Sequence, residues 1–478
     1  MNIRDTIVAS RRLRLQKIGH TQGLDIPIRR QLPLVPFKNP PLLICEIKRR
    51  SPSRGAIDPE LDPVEVAKTY SRSGVGSFSV LTEEDYFSGS LKDLMEVKAA
   101  LPHASILRKD FLLDETDIDV SYRAGADAVL LIASILDAET LIRLYRKATG
   151  LGMDALVEVH SDADVRKIRS VHPSWVGINS RNLETFQIDL LHPLQVRRWI
   201  DWDAKVVFES GVRTPYDAGF VAAQGFEGLL VGEAAVRNPE QVSALVDAFG
   251  GREQSRRETF WIQVSEKFGE KRPLVKVCGI TNLEDAYCSL DAGADILGFI
   301  FAPSPRKADP ALLKELRNVE ALKVGVVLSS GEEVQRAVEW AEEGYLDALQ
   351  IHGPENKDLV QRYTVPLYPV MNPKTQEEAE SLSSSFSGPR VLVDGSREAL
   401  YGGTGCRVPE EVLQVLGKRG NPLWLAGGLR PESIRAVVET WRPELLDVAS
   451  GLESAPGKKD SERIKRFFEE VESVRLSC

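Results

Sequence analysis

The chain has 478 residues, of which 42% are hydrophobic and 27% charged, and this composition excludes a disordered chain, a collagen-like chain and a disulfide scaffold. Acidic side chains outnumber basic ones by 70 to 61, the net charge is −9 and no strongly basic segment stands out, so we expect no nucleic-acid partner. A small anionic ligand remains compatible with this charge, because a few local donors are enough to hold a phosphate.

The first half of the chain predicts a helix followed by eight short strands, which alternate with amphipathic helical stretches. The helix is predicted from Asp5 to Ile18, and a proline-rich loop follows it. The eight apolar runs are rich in Val, Ile and Leu with little polar alternation, which is typical of parallel strands buried on both faces. These runs begin at Leu42, Ser77, Ser105, Ala128, Ala155, Trp175, Lys205 and Gly228.

A charged segment, residues 251–272, contains no strand-like run, and we interpret it as a linker helix. A second series of eight apolar runs follows it. Those runs begin at Leu274, Ile296, Leu322, Ala348, Pro366, Arg390, Leu423 and Leu445. The fragment Ala-Gly-Ala-Asp at residues 124–127 recurs at residues 292–295, as expected of two copies of one architecture.

Eight alternations in each half favour closed barrels over open sheets. An open doubly wound sheet typically has about five to seven strands and a G-x-G-x-x-G fingerprint after the first one, and neither half contains that fingerprint. The predicted fold class is therefore α/β, with two tandem (β/α)8 TIM barrels. The predicted domains are residues 1–250, which include the N-terminal helical extension, and residues 273–478, joined by the linker helix at 251–272.

The carboxyl ends of the strands are where barrel enzymes build their active sites, so polar residues there are the candidates. Any one of these residues can belong to a structural ion pair, but burying the whole set is costly unless it serves a function. Glycines after strands seven and eight would also let a phosphate approach the backbone N–H groups. In the first half the strand-end residues are Glu46, Lys48, Ser51, Lys109, Glu158, Asn179, Arg181, Glu209, Ser210, Gly211, Gly232 and Glu233.

The second half repeats the phosphate pattern and adds a thiol and a carboxylate. Strand one ends in Cys278 and strand six in Asp394, on opposite sides of the predicted barrel mouth. As base and acid they could move a proton between carbon and oxygen or nitrogen, which requires a lowered thiol pKa. A lone cysteine in a strand is otherwise more often a small buried hydrophobe. Glycines follow strands six, seven and eight at Gly403, Gly405, Gly428 and Gly451.

The motifs CEIKRRSPSRG, LRKDF, LVEVH, GINSRNL, FESGV and LVGEAAV occur in this order in the first half. Together they resemble the indole-3-glycerol phosphate synthase family. The resemblance implies ring closure of carboxyphenylamino-deoxyribulose phosphate with loss of carbon dioxide and water. It implies that Lys109 is the general acid at the ketone oxygen and that Glu158 stabilises positive charge and transfers protons. It assigns dehydration and carboxylate positioning to Glu46 and Lys48, substrate orientation to Asn179, Arg181 and Ser210, and the phosphate boundary to Ser51, Gly211, Gly232 and Glu233.

The motifs KVCGITN, GFIFAPSPRK, LQIHG, VLVDG, GGTG, LAGGL and DVASGLESAPGKKD occur in the second half. They resemble the phosphoribosylanthranilate isomerase family, and the two resemblances cover nearly the whole chain. The fused order, synthase first, is similar to that of bifunctional tryptophan-biosynthesis enzymes of some bacteria. The second resemblance implies an Amadori rearrangement with Cys278 as general base and Asp394 as general acid. It places Arg306 and His352 in the site, and Gly403, Gly405, Gly428 and Gly451 around the phosphate.

One departure and three alternatives accompany this interpretation. The isomerase family usually continues GGTG into Phe-Asp-Trp two residues later, whereas this chain continues as Cys406-Arg407-Val408-Pro409. An active synthase fused to an inactive or altered isomerase therefore stays open. A related sugar-phosphate isomerase of histidine biosynthesis would use paired aspartates where Cys278 stands. A non-enzymatic scaffold of two ligand-binding barrels would leave the charges at the first mouth unexplained.

The five widely spaced cysteines include no Cys-x-x-Cys pair, and the six histidines form no ligand-like cluster, so we expect neither a disulfide framework nor a metal site. The N-terminus lacks the apolar core of a signal peptide, and no apolar run approaches the about 20 residues that span a bilayer. We expect a cytoplasmic protein with sugar-phosphate substrates, no cofactor, no membrane contact and no obligatory protein partner.

Overall fold

Two units, each with its own barrel of parallel strands, make up the chain. The structure is a computed structural model that describes residues 3–38, 40, 42–52, 55–182, 185, 187–251, 259–268, 272–353, 363, 365–385, 388–395, 406–418 and 422–474. The units are Met1–Gln254 and Ser255–Cys478. Each contains eight parallel strands that close into a ring, which confirms the predicted fold class.

In the first barrel, β1 pairs with both β2 and β8, and this pairing closes the ring. Its strands are β1 (Leu42–Ile47), β2 (Ser77–Leu81), β3 (Ser105–Lys109), β4 (Ala128–Ile132), β5 (Asp154–Val159), β6 (Trp175–Asn179), β7 (Lys205–Glu209) and β8 (Gly228–Val231). Seven of them begin at the predicted residue, and β5 begins one residue earlier. They were recognisable because helices cover one face and the barrel core the other, so almost every position is buried and apolar.

Six helices of the first unit begin at side chains that cap their first N–H groups. Asp62, Ser90, Asp114, Asp137, Ser161 and Thr214 each accept hydrogen bonds from the backbone of the helix that follows. The helices are α1 (Ile3–Ile18), α2 (Pro63–Arg72), α3 (Leu91–Ala100), α4 (Glu115–Ala124), α5 (Ala138–Gly150), α6 (Asp162–Ile168), α7 (His192–Arg197), α8 (Pro215–Ala223), α9 (Glu233–Arg237) and α10 (Val242–Gly250).

In the second barrel, β9 pairs with both β10 and β16, which again closes the ring. Its strands are β9 (Leu274–Cys278), β10 (Ile296–Ile300), β11 (Leu322–Leu328), β12 (Ala348–His352), β13 (Leu367–Met371), β14 (Leu392–Asp394), β15 (Trp424–Ala426) and β16 (Leu445–Val448). Three of these strands begin one or two residues after the predicted start. The described helices of this unit are α11 (Thr259–Lys267), α12 (Leu283–Asp291), α13 (Ala311–Glu315), α14 (Glu333–Glu342), α15 (Gln376–Ser385), α16 (Glu410–Lys418), α17 (Pro431–Trp441) and α18 (Ser461–Ser473).

Helix α11 belongs to the core of the second unit. The ring of Phe260 stacks on Tyr368 with centroids 6.2 Å apart, and the ring of Trp261 lies 5.9 Å from that of Trp424. Tyr368 and Trp424 lie near the beginnings of β13 and β15, so α11 covers the amino-terminal end of the second barrel. The units divide after Gln254, and α11 lies with the second. The predicted domain bounds and the linker role of 251–272 otherwise stay predictions.

Among the described residues, no helix combines the length and the apolar character needed to cross a bilayer.

We expect Trp261→Ala to lower the free energy of unfolding of the second unit by about 3–5 kcal/mol, because the change leaves a cavity beside two other buried rings. Hydrogen exchange of the intact chain, read by mass spectrometry, should show faster exchange in β13 and β15 and unchanged exchange in the first barrel. The matched control is Tyr287→Ala, since that ring is 48% exposed and its loss should cost less than about 0.5 kcal/mol. Equal exchange in both variants would contradict the core assignment of α11.

Candidate active sites

Four charged side chains form one layer at the carboxyl end of the first barrel. Glu46, Lys109, Glu158 and Glu209 come from β1, β3, β5 and β7. In such barrels the side chains of alternate strands meet in layers of four, which are usually apolar. The Nζ atom of Lys109 lies 2.5 Å from Glu209 Oε2 and 3.3 Å from Glu158 Oε2. The alternation of strands therefore brings together three of the predicted residues and Glu209.

Two glycines provide the space for this layer. A Cβ atom at Gly177 would lie 1.9 Å from Glu209 Oε1. Glu46 Oε1 and Lys48 Nζ form an ion pair with a separation of 2.6 Å. A Cβ atom at Gly232 would lie 2.5 Å from that oxygen and 2.7 Å from that nitrogen. The predicted role of Gly232 in phosphate binding stays a prediction, but the structure gives this glycine a second task, which is to leave room for the Glu46–Lys48 pair.

The remaining predicted residues of the first barrel surround this layer in the loops. The Asn179 Oδ1 atom accepts a hydrogen bond of 3.0 Å from the backbone N–H of Arg181. Ser210 has a φ of 70°, a left-handed conformation that is strained for a residue with a side chain, and its carbonyl accepts from Ser180 Oγ at 3.0 Å. Such strain often marks a functional turn. Gly211 follows Ser210, and Ser51 is buried in a short hairpin, Arg50–Ser51 with Gly55–Ala56.

Glu233 is the first residue of α9, and the structure records an ion pair of 3.0 Å with Arg237 on the same helix. The predicted role of Glu233 at the phosphate stays a prediction, and its own carboxylate would repel an anion, so only the backbone at this position could donate to a phosphate.

The charges of the first layer shift one another's pKa values. Burial opposes the charge of Lys109, but Glu209, Glu158 and Glu46 outweigh burial and raise its pKa above the ordinary value. Burial also opposes the ionisation of Glu158, yet Lys109 and His160 hold the pKa of Glu158 below its usual range. Burial raises the pKa of Glu209 to about 8, with the charge of Glu158 adding to the effect against the opposing Lys109. The layer thus places the Lys109 cation beside two carboxyl groups whose pKa values are shifted in opposite directions.

Sequence reasoning found Glu209 at a strand end but assigned it no role, and it did not single out His160. The Nε2 atom of His160 lies 3.5 Å from Glu158 Oε1. Both residues lie within the quoted motifs, Glu209 in FESGV and His160 in LVEVH. The available signal for Glu209 was its position on an odd-numbered strand, the set that supplies the other members of the layer.

One cavity of about 310 Å³ at the carboxyl end of the second barrel contains every predicted site residue of that barrel that the structure describes. Cys278 ends β9 and Asp394 ends β14, so thiol and carboxylate enter the cavity from different sides of the ring. Gly403 and Gly405 lie outside the described residues. The predicted residues that line the cavity are Cys278, Arg306, His352, Asp394, Gly428 and Gly451.

Close packing at this mouth requires glycine. A Cβ atom at Gly451 would lie 1.9 Å from the carbonyl oxygen of Leu429, and one at Gly427 would lie 2.8 Å from Asp394 Oδ1. The loops after β15 and β16 therefore approach each other closely with their backbones. The predicted role of these glycines in phosphate binding stays a prediction.

Arg306 reaches the cavity with its guanidinium fixed by a carboxylate that sequence reasoning missed. Its Nε and Nη2 atoms donate to Glu453 Oε1 and Oε2 at 2.9 and 2.8 Å. Lys459 Nζ lies 3.2 Å from the same carboxylate. Burial opposes ionisation, but Arg306 and Lys459 lower the pKa of Glu453. The signal for both residues was present, because they lie in the motif DVASGLESAPGKKD.

His352 is buried and neutral. Burial, together with the nearby Lys276, lowers the pKa of His352 to about 3. Its Nε2 atom lies 3.0 Å from Gln350 Nε2, so the ring accepts a hydrogen bond from the amide. The predicted place of His352 in the site is consistent with a polar but uncharged contact to substrate.

A separate group of described residues, His20, Asp114 and Asp117, has ligand atoms close enough for one cation. However, Arg11 already pairs with Asp117 at 3.0 Å, which places a positive charge where a metal ion would bind.

Fold and site together define the class: two (β/α)8 barrels, each with charged or nucleophilic residues and glycine loops at the carboxyl ends of its strands. The family model of indole-3-glycerol phosphate synthase matches residues 10–247, and that of N-(5′-phosphoribosyl)anthranilate isomerase matches residues 275–470. The chain therefore belongs to the indole-3-glycerol phosphate synthase family through its first barrel and to the phosphoribosylanthranilate isomerase family through its second, which confirms both resemblances.

Similar proteins are known from several other organisms. An indole-3-glycerol phosphate synthase of Bacillus pumilus is 40% identical over 209 residues, which are 44% of this chain and 83% of that protein. A multifunctional tryptophan biosynthesis protein of Phycomyces blakesleeanus is 30% identical over 91% of this chain. The chain spans only 63% of that protein and 60% of a similar one from Schizosaccharomyces pombe. The protein in the crystal structure of phosphoribosyl anthranilate isomerase from Thermotoga maritima is 32% identical in sequence. The match covers 42% of this chain and 100% of that chain, with a TM-score of 0.38.

The raised pKa of Glu209 can be observed directly. We expect the infrared difference spectrum between the parent chain and Glu209→Gln to contain the carbonyl stretch of a protonated carboxyl at pH about 6, and to lose it as the pH rises through about 8. The matched control is Glu158→Gln, whose difference spectrum should show no such band at pH about 6, because the pKa of Glu158 is lowered. A Glu209 band that is absent at pH about 6 would show that both carboxyls are ionised.

Proposed function

We propose that this chain catalyses two consecutive steps of tryptophan biosynthesis. The second barrel isomerises N-(5-phosphoribosyl)anthranilate to 1-(2-carboxyphenylamino)-1-deoxyribulose 5-phosphate. The first barrel closes that product to indole-3-glycerol phosphate with loss of carbon dioxide and water. The observation that carries the proposal is the charged layer in the first barrel combined with the Cys278–Asp394 cavity in the second. Family membership of both barrels supports it.

In the first barrel, Lys109 acts as the general acid. Its ammonium donates a hydrogen bond, and then a proton, to the ketone oxygen as the aromatic carbon attacks the carbonyl carbon. Glu158 stabilises the positive charge that develops on the substrate and takes part in proton transfer. Lys48, paired with Glu46 at 2.6 Å, holds the substrate carboxylate until carbon dioxide leaves. Because the layer is buried, these charges act through a low dielectric, where they stabilise a developing charge more strongly than in water.

The first-barrel loops orient the substrate. Asn179, Arg181 and Ser210 contact its polar groups, and Ser51, Gly211, Gly232 and Glu233 bound the phosphate. Backbone N–H groups at Gly232 and the beginning of α9 are the donors that suit a phosphate best, because they carry no counter-charge of their own.

In the second barrel, Asp394 protonates the ring oxygen of the sugar, which opens the ring. Cys278, as thiolate, then removes the proton from the adjacent carbon, and the enol that results tautomerises to the ketone. Arg306 and His352 line the site, and Gly403, Gly405, Gly428 and Gly451 hold the phosphate. Neither reaction transfers electrons to a carrier, and we propose no cofactor and no metal.

The departure after the GGTG motif favours one second candidate, an active synthase fused to an altered isomerase. The segment that replaces Phe-Asp-Trp packs beside the acid, since a Cβ atom at Gly395 would lie 2.4 Å from the carbonyl oxygen of Cys406. This contact keeps the segment next to Asp394 and supports a working isomerase. Turnover of phosphoribosylanthranilate by the purified chain, followed by indole-glycerol phosphate fluorescence, decides between the two.

We propose further that the substrates are the only obligatory ligands, with no nucleic acid, membrane or protein partner. The cytoplasm is the compartment we propose, because free cysteines such as Cys45 and Cys278 are kept reduced there.

Lys109→Ala should lower synthase turnover by about 10²-fold or more, the usual effect of losing a general acid. Isomerase turnover of the same preparation should be unchanged. The matched control is Lys205→Ala at the other end of the same barrel, where the ammonium lies 4.9 Å from the Trp175 ring. Lys205→Ala should retain synthase turnover, and near-normal synthase turnover in Lys109→Ala would remove Lys109 from the acid role.

Cys278→Ser and Asp394→Asn should each lower isomerase turnover by about 10²-fold or more and leave the synthase unchanged. The isomerase is measured with phosphoribosylanthranilate, and the synthase with the carboxyphenylamino ketose phosphate supplied directly. Cys288→Ser, a change of a partly exposed thiol on α12, is the matched control and should have normal activity in both assays. Full isomerase turnover in Cys278→Ser would mean that this thiol is only a buried hydrophobe.

A further inference from the structure

Below the cavity of the second barrel lies a lysine that opens the motif KVCGITN but has no role in the proposed mechanism. Lys276 precedes Cys278 by two residues on β9 and is completely buried. Its Nζ atom lies 3.6 Å from Cys278 Sγ. We propose that Lys276 is a positioning residue that stabilises the thiolate of Cys278 and so makes this group available as a base. The inference rests on the isomerase function proposed above and deepens it.

Strand geometry places the two side chains together. Residues two apart on a strand point to the same face, so Lys276 and Cys278 both enter the barrel. Gly298 on β10 is the register partner of Cys278. A Cβ atom at Gly298 would lie 2.8 Å from both Cys278 Sγ and Lys276 Cε. The neighbouring strand therefore leaves open the space that lysine and thiol share.

The ammonium of Lys276 is held in place by groups from other strands. It donates to Asp447 Oδ2 on β16 at 2.8 Å and to Gln350 Oε1 on β12. Tyr368 on β13 donates its hydroxyl proton to the same Gln350 oxygen at 3.1 Å. With these partners fixed, the lysine cannot turn away from the thiol, and its charge stays beside Sγ whether or not substrate is bound.

Charges around Cys278 oppose one another. Burial and Asp447 raise the pKa of the Cys278 thiol above its ordinary value, and Lys276 and Lys459 reduce this rise without cancelling it. Lys459 also donates to the carbonyl oxygen of Cys278 at 2.7 Å. Burial raises the pKa of Tyr368, so its hydroxyl stays neutral at physiological pH. Within the described part of this cluster, Lys276 is the cation with a direct contact to the sulfur.

At the mouth, the other charged groups that share the cavity are Asp394 and Arg306, and Glu453 neutralises the guanidinium of Arg306. His352 is uncharged, as described above. Neither Asp394, nor Arg306, nor His352 replaces the Lys276 ammonium as a contact to Cys278 Sγ.

The proton balance of the step is simple. Cys278 loses its proton to solvent before the reaction, and the thiolate then takes the proton from the substrate carbon. The electron pair of that C–H bond forms the double bond of the enol. Lys276 keeps all three of its protons and contributes only its charge and one hydrogen bond.

The test measures the Cys278 thiolate without turnover. In the intact chain, the alkylation rate of Cys278 by iodoacetamide is followed against pH by peptide mass spectrometry, together with thiolate absorbance. We expect Lys276→Met to raise the pH midpoint of the alkylation rate by at least about one pH unit, because a cation beside the thiolate is lost. One pH unit is a tenfold change in the ionisation equilibrium of the thiol. Asp447→Asn should lower the midpoint, because an anion is lost.

The matched control is Lys323→Met. Lys323 is also buried in the second barrel, but its Nζ donates to the carbonyl oxygens of Val319 and Ala321, which do not line the cavity. The alkylation midpoint of Cys278 in Lys323→Met should equal that of the parent chain. An unchanged midpoint in folded Lys276→Met overturns the proposal. If Lys276→Met does not fold, an unchanged or raised midpoint in Asp447→Asn overturns it.

Activity gives a second measurement. The rising limb of isomerase kcat against pH should move upward with the alkylation midpoint in Lys276→Met, so that activity recovers at high pH while KM stays nearly constant. A kcat that is low at every pH, with the midpoint unchanged, would indicate a merely structural lysine and overturn the proposal. A shifted midpoint in a chain whose parent has no isomerase turnover would support the electrostatic role of Lys276 and reject the isomerase function instead.

Discussion

The strict alternation of side chains in a closed barrel is the constraint on which both sites depend. Residues at the carboxyl ends of alternate strands must meet in one layer, because there is no sheet edge toward which they could diverge. In the first barrel that layer is Glu46, Lys109, Glu158 and Glu209. Three buried acids beside Lys109 cannot all be ionised at low cost, and burial with the charge of Glu158 raises the pKa of Glu209 as a result. The same crowding sets the electrostatics that the proposed chemistry uses.

The second barrel has the same architecture but a different arrangement of charge. Its buried ion pair joins Lys276 to Asp447, which lines the cavity together with a thiol, a second carboxylate and a neutral histidine. A buried pair of this kind contributes little net stability, because desolvation offsets the attraction between the charges. Its retention is understandable if the charge is needed by a neighbour, and Cys278 is the titratable neighbour in contact with it.

Much of this structure could be predicted from the sequence, because buried parallel strands produce continuous apolar runs and their polar last residues mark the mouth. Twelve of the sixteen strands begin at the predicted residue, and every described member of the second predicted set lines one cavity. The pairings were not predictable. Lys276 and Asp447 lie on strands far apart in sequence that only ring closure makes neighbours, and Arg306 and Glu453 are equally distant in sequence. Helix α11 looked like a linker because charged residues flank its two buried aromatic rings.

The four-strand origin of the first layer also has a consequence for folding. Its members extend from Glu46 on β1 to Glu209 on β7, so a chain segment that contains only β1–β4 has Glu46 and Lys109 but lacks the other two acids. Contacts of such long sequence separation form late, since loop closure must precede them. A ligand that needs all four side chains therefore binds the closed barrel and not a folding intermediate that precedes it. Because substrate would bind only the closed barrel, its binding would raise the free energy of unfolding without stabilising the intermediates.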